Sequence, residues 1–128
     1  GDTIEHVDFA YLARVTRLNA MTLASLASAP PPPLEVTVQG ALSDDTTVRW
    51  TATPGAASYR IWWRDTTAPH WQSSVDVPAG ATEFVVKDVV LDDHFFGISA
   101  VSAEGYASPT QYAGLVGAFF PPPAPARN

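Results

Sequence analysis

The stretch Tyr-Arg-Ile-Trp-Trp-Arg at residues 59–64 decides the fold, because its side chains divide between two faces of an extended chain. Successive side chains of a strand point to opposite sides. One face carries the residues suited to a core: Tyr59, Ile61 and Trp63. The other face carries the residues that would point outward: Arg60, Trp62 and Arg64. A period of two with one apolar face predicts a half-buried β-strand.

Similar short runs lie on both sides of this stretch, separated by turn-forming residues such as Pro78, Gly80 and Gly105. The predicted strands cover residues 34–38, 48–52, 59–63, 73–77, 82–89, 95–103 and 112–119. About seven short strands with frequent turns predict an all-β fold of the immunoglobulin-like sandwich type.

A helical pattern precedes the strands. Its apolar face recurs at spacings of three and four: Ile4, Val7, Tyr11, Leu12, Val15, Leu18, Thr22 and Leu26. Asp8 is the predicted N-cap, and Pro30 the predicted stop. An isolated helix of about 20 residues is marginal in water. We therefore expect this amphipathic helix to be frayed, loosely docked or engaged with a neighbouring molecule.

The prolines mark the predicted domain boundaries. Residues 30–33 are four consecutive prolines, which as an extended helix would form a semi-rigid spacer of roughly 12 Å. The expected organisation is a helical segment at 1–29, a proline linker at 30–33, a β-domain at 34–118 and a disordered Pro-rich tail at 119–128.

Composition excludes several classes of function. The chain has 13 acidic and 7 basic residues and a net charge of −6, which would repel a phosphate backbone and argues against a nucleic-acid partner. No apolar stretch approaches the ~20 residues of a membrane-spanning helix. The absence of cysteine excludes disulfides, thiol nucleophiles and zinc–thiolate sites.

No catalytic or metal-binding residues are predicted in this chain. His6 and Asp8 enter the helix, where capping is the better interpretation, and His70 and His94 are isolated in sequence. The pairs Asp44–Asp45 and Asp92–Asp93 fall in turn regions, where adjacent acids usually form turns. No serine lies in a nucleophile elbow, and no glycine loop has phosphate-binding spacing.

Trp62 needs an explanation, because its side chain is large and apolar and yet is predicted to point outward. Together with His70 and Trp71 it could form an aromatic platform for a sugar ring or a peptide. Alternatively, Trp71 folds over Trp62 or Trp63, and one of the two neighbouring arginines stacks on the exposed ring as a cation over its face. The candidate binding surface therefore comprises Trp62, His70, Trp71, Arg60 and Arg64.

The β-region resembles a fibronectin type III domain over about residues 33–116. The resemblance rests on Trp50, on the Tyr-Arg-Ile-Trp-Trp-Arg run at 59–64, and on Phe-Gly-Ile-Ser-Ala-Val-Ser-Ala-Glu-Gly at 96–105. In that family a corner tyrosine hydrogen-bonds back to the chain. We assign its position here to Phe96, so the corner hydrogen bond is predicted to be absent.

The opening Gly-Asp-Thr-Ile-Glu-His-Val-Asp-Phe-Ala-Tyr-Leu, and the residues after it to Ala27, resemble the C-terminal end of the bacterial di-zinc aminopeptidases. Asp2 and Thr3 match the end of that family's His-Thr-x-x-Asp-Thr pattern, whose histidine would precede Gly1 by three residues. The resemblance implies that zinc, its ligands and the general base belong to a catalytic domain upstream, and that this chain holds no cofactor and is not itself an enzyme.

The two resemblances together predict a function. The chain is expected to be a non-catalytic accessory domain of a secreted zinc-dependent aminopeptidase, acting in substrate guidance, spacing or surface attachment. Its expected partners are its own catalytic domain and a peptide substrate or cell-surface glycan, and its expected location is extracellular or periplasmic. The alternative is an independent β-sandwich module that binds a glycan or a protein.

Overall fold

The computed structural model describes residues 3–40 and 42–115. A 3-10 turn at Ile4–His6 precedes helix α1 at Phe9–Ser28. Eight strands follow: β1 (Leu34–Gln39), β2 (Thr46–Thr51), β3 (Ser58–Asp65), β4 (Ser73–Pro78), β5 (Glu83–Val86), β6 (His94–Val101), β7 (Gln111–Tyr112) and β8 (Gly114–Leu115). Three predictions fall outside the described residues: the motif residue Asp2, the end of the last strand at 116–119 and the tail at 119–128.

The strands form two four-stranded sheets, in the orders β5-β2-β1-β8 and β4-β3-β6-β7. Neighbours are antiparallel except β1 and β8, which pair in parallel. The last predicted strand is thus divided: β7 pairs with β6 in one sheet, and after Ala113 the chain crosses to pair β8 with β1 in the other. The predicted β-sandwich is confirmed.

The inward faces of the sheets supply one core. Its buried apolar side chains are Val36, Val38, Val48, Trp50, Tyr59, Ile61, Val77, Val86, Phe96, Ile98 and Ala100. Trp50 and Tyr59 meet edge to face with their ring centroids 5.3 Å apart, an arrangement that aromatic pairs favour. The Tyr59 hydroxyl accepts a hydrogen bond of 2.7 Å from the backbone N–H of Thr53, so this buried phenol also fixes the loop after β2.

The topology sorts the loops between the two ends of the sandwich. β1 starts at the end of the sandwich that the proline linker joins. The antiparallel order of the strands brings three loops to this same end, at residues 52–57, 79–82 and 102–110. We call this the linker end. Residues 42–45, 66–72 and 87–93 lie at the opposite end, which we call the distal end.

Helix α1 begins and ends where the sequence predicts. The Asp8 carboxylate accepts a 2.9 Å hydrogen bond from the backbone N–H of Tyr11, as an N-cap does. The helix stops at Ser28, two residues before Pro30. Pro30 and Pro33 are both buried, whereas Pro31 is exposed. An extended proline helix has three residues per turn, so residues 30 and 33 share a side, and that side is the buried one.

The predicted corner residue is wrong. Phe96 is buried in the core, and the corner position belongs to His94, the first residue of β6. Ring atom Nδ1 of His94 lies 2.9 Å from the carbonyl oxygen of Val90, so the hydrogen bond predicted to be missing is present. The prediction failed because the strand begins two residues earlier than the position assigned to the corner. A histidine ring therefore makes the hydrogen bond to the preceding turn that a tyrosine hydroxyl makes in related sandwiches.

Candidate functional site

The outer face of the sheet β4-β3-β6-β7 carries the predicted surface residues. β3 presents Arg60, Trp62 and Arg64 outward, as the alternation predicts. The β3–β6 register places them opposite three residues of β6 in turn: Ser99, Gly97 and Phe95. Directly opposite residues on one face of an antiparallel pair interact, so this register determines which groups surround each ring.

Trp62 is held by a polar neighbour and a cation. Its Nε1 donates a 3.3 Å hydrogen bond to Oγ of Ser99. The guanidinium carbon of Arg60 lies 5.6 Å from the centroid of the Trp62 ring, within the range of a cation–π interaction. Trp62 is half-buried as a result.

Arg60 also forms a two-pronged ion pair with Asp76 of β4. Its Nε and Nη2 donate to the two carboxylate oxygens at 2.6 and 3.0 Å. The hydrogen bonds from Arg60 lower the pKa of Asp76, and the same bonds raise the pKa of Arg60. Both side chains are more than a third exposed, so solvent weakens the pair. Its main effect is to orient the guanidinium plane beside Trp62.

Trp71 reaches across the sheet from the loop between β3 and β4. A Cβ atom placed on Gly97 would lie 3.0 Å from Cη2 of Trp71, so the indole rests on the bare backbone of this glycine. The Trp71 ring packs against Tyr112 with a centroid separation of 5.2 Å. The guanidinium carbon of Arg64 lies 5.7 Å from the Trp71 ring and 4.7 Å from the Phe95 ring.

The structure therefore brings together four of the five predicted surface residues. His70 is the exception: it is exposed, and in the described part of the chain it makes no hydrogen bond or ring contact. Sequence reasoning missed Phe95, Gly97 and Tyr112. Phe95 and Gly97 could have been found by pairing β6 with β3, whereas Tyr112 requires the position of β7. We call Trp62, Trp71, Phe95 and Tyr112 the aromatic face.

A second unexplained surface is the apolar stripe of α1. None of its residues is buried, and Leu18 is 65% exposed. Other large apolar side chains on the helix that remain exposed are Tyr11, Leu12, Met21, Leu23 and Leu26. Large contiguous apolar patches on a protein surface usually mark sites of interaction. The stripe has no partner within residues 3–40 and 42–115.

The remaining polar clusters do not form a site. Over the described ranges, no three His, Cys, Asp or Glu side chains come close enough to hold a metal ion. Thr3 Oγ1 lies 2.8 Å from Nδ1 of His6, which closes the turn before α1.

A cleft of about 280 Å³ lies between Leu91, His94, Phe96 and Ala113. Its volume is just below the ~300–1,000 Å³ usual for small-molecule sites.

Within residues 3–40 and 42–115, no helix combines the length and apolar character needed to cross a bilayer.

Comparison with curated proteins finds relatives among fungal zinc metalloproteases. No protein-family model matches the chain. A probable zinc metalloprotease of Pyrenophora tritici-repentis is 41% identical over 115 residues, covering 88% of this chain and 23% of the relative. Proteins of the same description are 40% identical in Pyrenophora teres f. teres and 37% identical in Pyricularia oryzae. The chain spans about a quarter of the length of these relatives.

Comparison with solved structures confirms the fold. The fibronectin type III domain of the human collagen alpha-1(XX) chain superposes with a TM-score of 0.57 and 23% identity, covering 67% of this chain and 83% of that domain. A Fn3-like protein from Clostridium thermocellum gives a TM-score of 0.55 and 23% identity, covering 69% of this chain and 93% of that protein. The chain therefore has a fibronectin type III-like fold, which hosts many unrelated functions.

Proposed function

We propose that the chain is a non-catalytic accessory part of a longer, secreted zinc metalloprotease of the aminopeptidase type. In this proposal α1 packs on the catalytic part of the same polypeptide, and the sandwich guides substrate, spaces the enzyme or attaches it to a surface outside the cell. The single observation that carries the proposal is the uncovered apolar stripe of α1, in a chain whose relatives are zinc metalloproteases about four times its length.

The energetics of α1 support a covering partner. A helix of 20 residues that buries none of its side chains within residues 3–40 and 42–115 is marginal in water. Each large apolar side chain that becomes buried contributes about 1.5–3 kcal/mol. Leu12, Leu18 and Leu26 alone would therefore stabilise a docked helix by several kcal/mol. In the part of the chain that the structure describes, the sandwich does not supply this contact, because no residue of α1 is buried there.

Zinc belongs, in this proposal, to the remainder of the longer protein. A catalytic zinc needs three protein ligands and an open position for water. The described residues of this chain offer no such group of donors. The chain itself supplies a helix that packs on the catalytic part and a sandwich that guides substrate, spaces the enzyme or attaches it to a surface.

The first test reads the coding sequence upstream of Gly1. The proposal expects a zinc peptidase domain there, with the His-Thr-x pattern immediately before Gly1. An unrelated upstream sequence would contradict it.

The second test compares Leu18→Asp with Ala20→Asp in the longer protein. Residues two apart in a helix point about 200° apart, so Leu18 lies on the apolar stripe and Ala20 lies on the opposite side. Leu18→Asp should lower the melting temperature of the peptidase domain by several degrees, because it places a charge in an apolar interface. Ala20→Asp should leave that temperature nearly unchanged. Equal effects of the two variants would count against docking through the stripe.

The aromatic face favours a second candidate, an independent module that binds a glycan or a protein. Trp62 and Trp71 are half-buried, Phe95 and Tyr112 are exposed, and a polar fringe of Arg60 and Asp76 lies beside them. Titration of the chain with soluble polysaccharides should then quench tryptophan fluorescence, and Trp62→Ala should abolish the quenching while His70→Ala should not. Unchanged fluorescence at millimolar sugar would exclude glycan binding at this face.

A further inference from the structure

We propose that the linker end of the sandwich, centred on Tyr106, contacts the catalytic part of the same polypeptide. This inference rests on the proposed function and adds to it the orientation of the sandwich. It assigns an interaction surface to the loops at 52–57, 79–82 and 102–110 and leaves the aromatic face free. The occupant is the folded body on which α1 docks.

The tether limits where that body can be. Four prolines extend over only about 12 Å, and Pro30 and Pro33 are buried, so the linker does not stand free of the folded chain. A body that covers the C-terminal end of α1, where Leu26 lies, is therefore close to the start of β1. The topology places the three linker-end loops at this point and the distal loops at the far end of the strands.

Tyr106 is the large side chain that this end presents. It is 40% exposed and lies in a turn closed by three hydrogen bonds. The N–H of Gly105 donates to the carbonyl of Ser102, the N–H of Ser102 donates to the carbonyl of Tyr106, and the N–H of Tyr106 donates to Oγ of Ser102. A rigid aromatic side chain loses little conformational entropy on binding, which is why tyrosine is common at interfaces.

The two loops beside Tyr106 are also tied by hydrogen bonds. The N–H of Ala56 donates to the carbonyl of Thr53 across a Pro54-Gly55 turn, in which Gly55 has a φ of +80°. The N–H of Ala81 donates to the carbonyl of Pro78 across the next turn. This end is therefore held in one shape before it meets a partner, which reduces the ordering cost of an interface.

Charge distinguishes the two ends. Within residues 52–57, 79–82 and 102–110 the one charged residue is Glu104. The distal end carries five carboxylates against Lys87: Asp44, Asp45, Asp88, Asp92 and Asp93. Interface cores are depleted of charged residues, because each charge must lose its hydration on binding. The linker end can be covered at far lower cost than the distal end.

The test is hydroxyl-radical footprinting of the 128-residue chain and of the longer protein, with native residues as reporters. Tyr106 should be oxidised at least about fivefold more slowly in the longer protein, because interface cores exclude water. Tyr112 on the aromatic face is 53% exposed in the chain and should change by less than about twofold. Tyr11 and Leu26 on the apolar stripe of α1 are 63% and 48% exposed and report separately on docking of the helix.

The reporters distinguish the inference from the proposed function. Protection of Tyr11, Leu26 and Tyr106 supports both. Protection of Tyr11 and Leu26 with Tyr106 as reactive as in the chain alone overturns the linker-end contact and leaves the accessory role standing. Protection of Tyr112 in place of Tyr106 also overturns the inference, because a different side of the sandwich would then face the catalytic part. No protection at any of the four residues overturns both.

Discussion

Nδ1 of His94 lies 2.9 Å from the carbonyl oxygen of Val90, so the first residue of β6 is tied to the turn that precedes it. The ring also lies near Phe96, with their centroids 6.3 Å apart. One side chain thus links a loop of the distal end to a residue of the buried core. The corner of this sandwich depends on a histidine ring in place of a phenol.

Replacement of this histidine should destabilise the sandwich. His94→Phe keeps an aromatic ring but removes the hydrogen bond to the half-buried Val90 carbonyl. The loss of this bond should lower the free energy of unfolding by about 1–2 kcal/mol. His94→Tyr restores a polar tip and should recover most of the loss. Urea denaturation followed by tryptophan fluorescence measures the difference.

The matched control for this prediction is His70→Phe. His70 is exposed, and such substitutions usually change the free energy of unfolding by less than about 0.5 kcal/mol. If the two phenylalanine variants unfold at the same urea concentration, the corner hydrogen bond contributes nothing measurable.

The strands were predicted well because a half-buried strand alternates apolar and polar residues, and this alternation is visible in residues that are close in sequence. The prediction for 59–63 matches β3 at Ser58–Asp65, and Tyr59 and Ile61 are fully buried as expected. The prediction of 82–89 overshoots β5, which ends at Val86. Asp88 follows with a φ of +54°, and a left-handed residue ends a strand regardless of the apolar residues beyond it.

The arrangement of the aromatic face could not be derived from sequence in the same way. That Trp71 rests on Gly97 depends on where the seven-residue loop between β3 and β4 places the indole, and the period of the strands does not predict this. The contact between Trp71 and Tyr112 depends in turn on the division of the last strand at Ala113. Long-range placements of this kind are fixed by packing.

Gly97→Ala should disturb the aromatic face. The added Cβ would lie 2.6 Å from Cγ2 of Thr110 and 3.0 Å from Cη2 of Trp71, so the Thr110 methyl must shift and the indole must give by a few tenths of an ångström. Overpacking of this kind typically costs about 1–3 kcal/mol. Near-ultraviolet circular dichroism should change as the contact between Trp71 and Tyr112 is disturbed, and the urea midpoint should fall.

Gly80→Ala is the control for a glycine that has room for a side chain. Among the described residues, no atom lies within 4 Å of a Cβ placed there, so the spectrum should not change. An unaltered spectrum for Gly97→Ala as well would mean that Trp71 does not rest on Gly97 in solution.

Asp45 should contribute to acid sensitivity. Its carboxylate accepts hydrogen bonds from Nζ of Lys87 at 2.6 Å and from the N–H of Asp88 at 3.0 Å. These bonds, with the Lys87 bond the larger cause, lower the pKa of Asp45 from its ordinary value of 3.8. A lowered folded-state pKa means that the stabilisation is complete above the unfolded-state pKa and is lost as the pH falls through the folded-state pKa.

Asp45→Ala should therefore lower the urea midpoint at pH 7, and its difference from the parent chain should shrink as the pH falls below 3.8, the ordinary pKa of this carboxyl group. Asp44→Ala is the neighbouring control and should follow the parent chain at every pH. A constant difference between Asp45→Ala and the parent chain from neutral to acidic pH would show that the carboxylate acts through something other than its charge.

Removal of residues 1–29 should leave the stability of the sandwich unchanged. No residue of α1 is buried, so the helix offers the sandwich little of the apolar burial that stabilises folds. The urea midpoint, reported by the buried Trp50, should be the same with and without the helix. Ile61→Ala serves as the positive control, because Ile61 is fully buried and its truncation should cost about 2–5 kcal/mol. A lower midpoint without α1 would show that the helix packs on the sandwich in solution, and its apolar stripe would then no longer require the catalytic part of a longer protein to cover it.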